Sequence, residues 1–281
     1  MATLFARERE KSHAIAQDAV RRATTWTSAT MPINCTPLPL RLLPCGLALL
    51  LLAGYAHAQD AAEPETDGPP FKLTPAWYAN SDGNDAWDVN LRRDIGDQKV
   101  WIGQYADQQH FRQTRAGYEV DPDLGIVSLQ LSAQAATRGF LGGSAQANIG
   151  GDTYAIVGIG RTNLRPYYNL NFDPNDAITF GLGTKALLPQ GEISVFQVRD
   201  DRLHTQQRIT HTLIKYHLND ASRVTLDASY KHGLADDDVM VHGAALALEY
   251  DYHAWFCKLA RERAVNFTHV DQTRVAIGVR F

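Results

Sequence analysis

The last nine residues of the chain, Thr273 to Phe281, alternate between two kinds of side chain. In an extended strand, successive side chains point to opposite faces, so this segment has one apolar and one polar face. The polar face carries Arg274 and Arg280. A strand that separates lipid from a wet lumen needs both faces, whereas a soluble protein seldom ends on such a strand. The segment therefore predicts a strand of a membrane-spanning barrel, whose apolar face comprises Thr273, Val275, Ile277, Val279 and Phe281.

This terminal strand resembles the last strand of bacterial outer-membrane β-barrel proteins, which ends in Phe and is recognised by the barrel-assembly machinery. The resemblance implies that Val275, Ile277, Val279 and Phe281 form an assembly signal. It also implies the bacterial outer membrane as location. The partners it implies are outer-membrane lipids, lipopolysaccharide, the barrel-assembly machinery and periplasmic chaperones.

The N-terminal part of the sequence predicts export. Arg41 precedes an apolar run, and Ala56-His57-Ala58 forms a small-x-small cleavage site. Residues 1–30 precede a second possible start at Met31, and we expect them to be a non-native extension; an unusually long n-region is the alternative. The expected organisation is an extension over 1–30, a signal peptide over 31–58, a flexible periplasmic leader over 59–70 and an outer-membrane β-barrel over 71–281.

From Phe71 onward the chain is a succession of short runs in which apolar and polar residues alternate. The clearest run is Val127 to Ala135. Counting the runs predicts an all-β fold, a transmembrane antiparallel up-and-down β-barrel of 12–14 strands. Short turns alternate with longer polar loops, which is typical of periplasmic turns and external loops. The alternatives are a soluble β-sandwich or a lipocalin-like barrel.

Aromatic residues concentrate near the ends of these runs, as they do in the girdles of membrane proteins at the lipid–water interface. The predicted girdle residues are Trp77, Tyr78, Trp87, Trp101, Tyr105, Tyr118, Tyr216, Tyr230, Tyr250, Tyr252 and Trp255.

Charged residues of both signs fall on the faces that the alternation assigns to the lumen. One interpretation is a lumen filled with mutually neutralising ion pairs. The other is a ladder of basic residues opposite an acidic stripe, which would set up a transverse field across a pore. The candidate pore-lining residues are Arg92, Arg115, Glu119, Lys215, Asp227, Lys231, Glu249, Asp251, Arg274 and Arg280.

The segment from Arg165 to Asp176 is long, aromatic and rich in turn-forming residues. Such a loop is expected either to fold inward and narrow the lumen or to bind a sugar by stacking. The alternative is a β-hairpin above the membrane. The candidate residues for constriction or sugar stacking are Arg165, Tyr167, Tyr168, Phe172 and Asp173.

Together these patterns predict a small porin or channel for the passive diffusion of polar or charged solutes. By length, the predicted mature chain is similar to small twelve-stranded porins that pass acidic oligosaccharides or sialic acids. The alternatives are a non-conducting structural barrel in envelope integrity and an outer-membrane lipid hydrolase. The chain lacks the His-x-Ser motif of outer-membrane phospholipases, so we expect no enzyme activity. No cofactor or metal site is predicted, and no basic cluster suggests nucleic-acid binding.

Overall fold

The computed structural model describes residues 69–163, 165, 167 and 176–281. This part of the chain forms fourteen β-strands and one short 3-10 helix, Val265–Phe267. The strands are β1 (Phe71–Asn80), β2 (Ala86–Ile95), β3 (Gln98–Asp107), β4 (Arg112–Val120), β5 (Val127–Ala136), β6 (Phe140–Gly150), β7 (Thr153–Thr162), β8 (Ala177–Thr184), β9 (Gly191–Asp200), β10 (Arg208–Asn219), β11 (Ser222–Leu234), β12 (Met240–Tyr252), β13 (Trp255–Glu262) and β14 (Gln272–Arg280).

Each strand pairs antiparallel with its neighbours in sequence, and β14 returns to pair with β1, so the sheet closes into a barrel. Trp77 faces Val275 across this closing seam. Closure satisfies the backbone hydrogen bonds of the two strands that would otherwise form free edges. The predicted antiparallel up-and-down barrel is confirmed, with the strand number at the upper end of the predicted range.

The connections differ between the two ends of the barrel. At the end that holds Phe71 and Arg280, four of the six connections span two residues, at 96–97, 151–152, 220–221 and 253–254, and the other two span six residues. At the opposite end the connections range from three residues, at 137–139, to fourteen, in the β7–β8 connection at 163–176. In bacterial barrels, the short turns face the periplasm and the long loops face outward. We therefore call the two ends the periplasmic end and the loop end.

The outward face of the strands is apolar and exposed. Leu246 and Leu248 on β12, Leu259 on β13 and Val275 and Ile277 on β14 each expose about half of their surface. A continuous exposed apolar band of this kind is unfavourable in water and favourable in lipid. The closed ladder and this band give the protein the fold of an outer-membrane β-barrel.

The inward face is well filled near the β1–β14 seam. Tyr78 and Tyr105 are 0% and 1% exposed and pack together with Phe111. The prediction that Tyr78 and Tyr105 belong to the interface girdle is therefore wrong, and Trp101 also lies on an inward-facing position. Trp77 and Tyr78 are consecutive residues of one strand, so they cannot share a face. The predicted girdle residues that do face outward are Trp77, Trp87, Tyr118, Tyr216, Tyr230, Tyr250, Tyr252 and Trp255.

In the described part of the chain, no helix is long and apolar enough to cross a membrane. The predicted extension over 1–30, the predicted signal peptide over 31–58 and most of the predicted leader over 59–70 lie outside the described residues.

Candidate channel lumen

All ten candidate pore-lining residues lie on inward-facing positions of their strands. The closed topology fixes this, because residues facing each other across a strand pair share one face. Lys215 faces Thr225 and Thr225 faces Glu249, for example, so all three point inward. That these residues line a conducting pore remains a prediction. The inward candidates are Arg92 on β2, Arg115 and Glu119 on β4, Lys215 on β10, Asp227 and Lys231 on β11, Glu249 and Asp251 on β12 and Arg274 and Arg280 on β14.

The charged side chains at the periplasmic end pair with one another. Asp251 accepts hydrogen bonds from Arg280 at 2.6 Å and from Arg223 at 3.5 Å. The neighbouring Glu249 lies 3.7 Å from Lys258. Apart from Arg223, at 27%, these side chains are at most 12% exposed, so their charges are only weakly screened by water.

A second set of ion pairs lies closer to the loop end and is more deeply buried. Asp88 on β2 accepts a hydrogen bond from Arg115 on β4, with exposures of 0% and 3%. Lys231 on β11 pairs with Glu262 on β13 in the same way, at 3% exposure for both side chains. Buried charges need such partners because desolvation is costly.

Basic and acidic residues are interspersed around this part of the wall. β2 carries Asp88 and Arg92, and β11 carries Asp227 and Lys231 on the same inward face. The described residues therefore do not separate into a basic ladder opposite an acidic stripe. They follow the other interpretation, a lumen of mutually neutralising ion pairs.

The wall formed by β5, β6, β7 and β8 is different, because its described inward positions hold no charged residue. β5 presents serines and glutamines, and β6 continues this surface with polar residues in register. Ser132 and Ser144 face each other and are hydrogen bonded at 2.7 Å. The inward polar residues of these two strands are Ser128, Gln130, Ser132 and Gln134 on β5 and Ser144, Gln146 and Asn148 on β6.

Within this wall, the inward face of β5 is partly exposed along its whole length. Every inward residue of β5, from Ser128 near the periplasmic end to Ala136 near the loop end, is partly exposed. By contrast, each of the neighbouring strands β4 and β6 has at least one fully covered inward residue, such as Gln113 or Phe140. An aqueous path that follows β5 is therefore compatible with the closed packing elsewhere.

The β7–β8 connection reaches into the lumen at the outer end of this path. The ring of Tyr167 stacks on Phe140 with centroids 4.0 Å apart, and its hydroxyl donates to Oε1 of Gln134 at 3.2 Å. The guanidinium of Arg115 is also next to this hydroxyl. Arg165, two residues earlier, is exposed. Of the predicted loop residues, Tyr168, Phe172 and Asp173 lie outside the described residues.

A second loop covers the inward face of β10 to β12. Phe267, from the β13–β14 connection, is 3% exposed and packs in a cluster with Ile209 and Val241. Ala264, Asn266 and Phe267 all have positive φ, a left-handed conformation that is strained for residues other than glycine. The packing of Phe267 compensates for this strain and fixes the loop inside the barrel mouth.

Sequence reasoning missed the residues that hold these loops. Phe140 and Gln134 become visible as partners of Tyr167 only in the folded chain. The contacts of His211, which lies 3.1 Å from Asp227 and stacks on Phe196, were likewise not predicted from the sequence. These residues are distant in sequence, and their contacts depend on strand register, which alternation alone does not give.

No protein-family model matches the sequence, and no curated protein matches it either. Among solved structures the chain is similar to the KdgM porin, with 11% identity, a TM-score of 0.40 and coverage of 75% of this chain and 99% of that chain. It is similar to the NanC porin at 10% identity and a TM-score of 0.41, covering 74% of this chain and 98% of that chain. An anion-selective porin from Comamonas acidovorans is similar at 11% identity and a TM-score of 0.39, with 75% and 97% covered.

Proposed function

We propose that the protein is a narrow outer-membrane channel through which small polar solutes diffuse passively. The observation that carries the proposal is the uncharged, partly exposed wall of β5, which runs from one end of the barrel to the other. Serine hydroxyls and glutamine amides both donate and accept hydrogen bonds. They can therefore replace the water molecules that a polar solute loses on entry.

The ion pairs on the remaining walls support the same proposal. Because Arg280 and Asp251 neutralise each other at 2.6 Å, as do Lys258 and Glu249 at 3.7 Å, they present little net charge to a passing solute. We therefore expect weak ion selectivity and a preference for neutral or weakly charged polar solutes. Tyr167 would set the narrowest point at the outer end of the path.

A non-conducting structural barrel is the second candidate, and one observation favours it. The inward charges Asp88, Arg115 and Lys231 are at most 3% exposed, which is tighter packing than an open pore requires. In this case the ion pairs would fill the lumen and stabilise the barrel rather than line a path.

Conductance of the purified protein in a planar lipid bilayer separates the two candidates. The channel proposal predicts discrete conductance steps, with a small reversal potential in a salt gradient. A folded, heat-modifiable protein that inserts and never conducts would overturn the channel proposal and leave the structural barrel.

We also propose that residues 31–58 act as a cleaved signal peptide and that the barrel-assembly machinery, assisted by periplasmic chaperones, inserts the protein. The support is the sequence pattern at Arg41 and Ala56-His57-Ala58 and the aromatic end of β14. N-terminal sequencing of protein isolated from outer membranes tests the first part, with Gln59 expected as the first residue.

A further inference from the structure

Four basic or ring-nitrogen side chains form one continuous row on the outward surface of the barrel at its loop end. Arg199 on β9 faces Arg208 on β10, Arg208 faces His232 on β11, and His232 faces His242 on β12. All four point outward, and Arg199, Arg208 and His242 are exposed. We call Arg199, Arg208, His232 and His242 the basic row.

The two arginines form an unfavourable pair as they stand. Like charges directly opposite each other on neighbouring strands destabilise a sheet. In the described part of the chain, no carboxylate lies within ion-pair distance of Arg199 or Arg208. Asp201, in the β9–β10 connection, pairs with Arg161, and Asp237, in the β11–β12 connection, accepts a hydrogen bond from His269. Among the described residues, the pair Arg199–Arg208 therefore has no counter-charge.

The histidines extend the row with ordered ring nitrogens. The rings of His232 and His242 are stacked, with centroids 5.8 Å apart and 16° between their planes. Nδ1 of His242 lies 3.2 Å from the hydroxyl of Tyr230, in hydrogen-bond contact. Two guanidinium groups and two oriented imidazoles in one line offer several donors to a single anionic group.

The position of the basic row relative to the apolar band identifies the environment of that anion. Two residues from the row toward the periplasmic end, the outward residues of the same four strands are Gln197, Thr210, Tyr230 and Ala244. Four residues further along each strand, the outward residues are all apolar: Ile193, Ile214, Leu226 and Leu248. Polarity therefore rises from apolar through neutral polar to basic, as the membrane does from hydrocarbon through its interface to the headgroups.

The spacing along β12 agrees with this placement. Tyr252, at the periplasmic end, and His242 are ten positions apart on one strand. Ten residues of strand extend about 33 Å, which a tilt of about 40° reduces to roughly 25 Å across the membrane. Since the apolar band of such barrels is about 25 Å tall, His242 lies at the outer headgroup level.

We propose that the basic row binds the phosphate group of an outer-leaflet lipid, such as the phosphorylated glucosamine headgroup of lipopolysaccharide. Guanidinium groups bind phosphate through paired, charge-assisted hydrogen bonds. The acyl chains of the same lipid would lie along the apolar residues below the row. This site lies outside the lumen, so it does not depend on the proposed channel function.

The test measures stabilisation of the purified protein in neutral detergent micelles that contain increasing mole fractions of bisphosphorylated lipid A. The readout is the temperature of half-denaturation, taken from the mobility difference between folded and unfolded barrel. The double variant Arg199→Gln/Arg208→Gln removes both arginines of the row. The matched control, Arg93→Gln/Arg112→Gln, removes two outward arginines elsewhere and so changes the net charge equally.

Lipid A should stabilise the wild type and the control with similar concentration dependence. The row variant should need about tenfold more lipid, or more, for the same stabilisation, since each lost charged hydrogen bond is worth roughly a factor of ten. Arg199→Lys/Arg208→Lys, which retains the charges without the planar fork, should fall between the two. This conservative variant also keeps the test valid if the Gln variant folds poorly.

Three outcomes would overturn the proposal. Lipid A could leave the wild type unchanged, or the row variant and the control could lose stabilisation equally, in which case only net charge matters. Inorganic phosphate alone, added at millimolar concentration, could also reproduce the full stabilisation. That result would identify a site for free phosphate rather than for a lipid.

Discussion

Phe71, the first residue of β1, and Phe281, the last residue of the chain, stack with ring centroids 5.6 Å apart. Their backbones exchange two hydrogen bonds, from Phe71 N to Phe281 O at 3.0 Å and from Phe281 N to Phe71 O at 2.9 Å. The terminal aromatic residue therefore locks the seam at which the barrel closes. This contact gives Phe281 a structural role in addition to its predicted role as an assembly signal.

The two roles of Phe281 can be separated by comparing Phe71→Ala with Phe281→Ala. In purified, refolded protein, both variants should lose about 0.5–1.5 kcal/mol of unfolding free energy, because each removes the same stacked pair. In cells, Phe281→Ala should reduce the folded protein in the outer membrane more strongly, since only Phe281 belongs to the predicted signal. Equal losses in cells would show that the residue acts through closure alone.

Tyr167 is expected to limit the flow of ions through the lumen. Tyr167→Ala removes the ring that stacks on Phe140 at 4.0 Å, so single-channel conductance should rise. Arg165→Gln is the matched control, because this residue is in the same connection but is exposed. Measurement in 1 M salt, where the Debye length is about 3 Å, suppresses the effect of the altered charge in the control. Unchanged conductance in Tyr167→Ala would reject the constriction.

Asp88 is expected to be a major contributor to barrel stability. Asp88→Asn leaves the guanidinium of Arg115 buried without its ionised partner, and breaking a buried pair in this way costs about 3–5 kcal/mol. Asp201→Asn breaks the more exposed pair with Arg161, whose side chains are 38% and 26% exposed, and should cost at most about 1 kcal/mol. Urea unfolding of the two variants measures the difference. Similar losses would contradict the expected role of burial.

Much of the barrel could be predicted from the sequence because its determinants are local. The alternation over Val127 to Ala135 and Thr273 to Phe281 assigned the faces of β5 and β14 correctly. The β13–β14 connection, with its inward Phe267, was not predicted. Its left-handed residues Ala264 and Asn266 carry no sequence signal comparable to that of glycine.

The sequence predicted which residues face the lumen but not which of them pair with each other. The sequence indicated that Arg115 and Lys231 would point inward, since face follows from alternation. Their partners Asp88 and Glu262 lie on other strands, so pairing depends on register and on the tilt of the closed sheet. The basic row was not predicted either, because Arg199 and Arg208 become neighbours only through the register of β9 and β10.

Two loops at the loop end are joined by a pair that should respond to acid. Nε2 of His269, in the β13–β14 connection, lies 3.0 Å from Oδ2 of Asp237, in the β11–β12 connection. The hydrogen bond from His269 and that from the backbone of Val239 lower the pKa of Asp237 below its usual value of 3.8. A carboxylate with a lowered pKa in the folded state contributes stability that is fully present above its unfolded pKa. This contribution is lost as the pH falls through the folded pKa.

The loop contact should therefore persist on acidification to about pH 4 and weaken only below it. His269→Gln should raise the pKa of Asp237 toward its usual value, so that the carboxylate protonates at higher pH. The measurement is an NMR titration of the carboxyl carbon of Asp237 in selectively labelled protein. His253→Gln, in a turn at the periplasmic end, is the control and should leave the titration unchanged. An identical titration of Asp237 in wild type and His269→Gln would show that the imidazole does not hold this carboxylate.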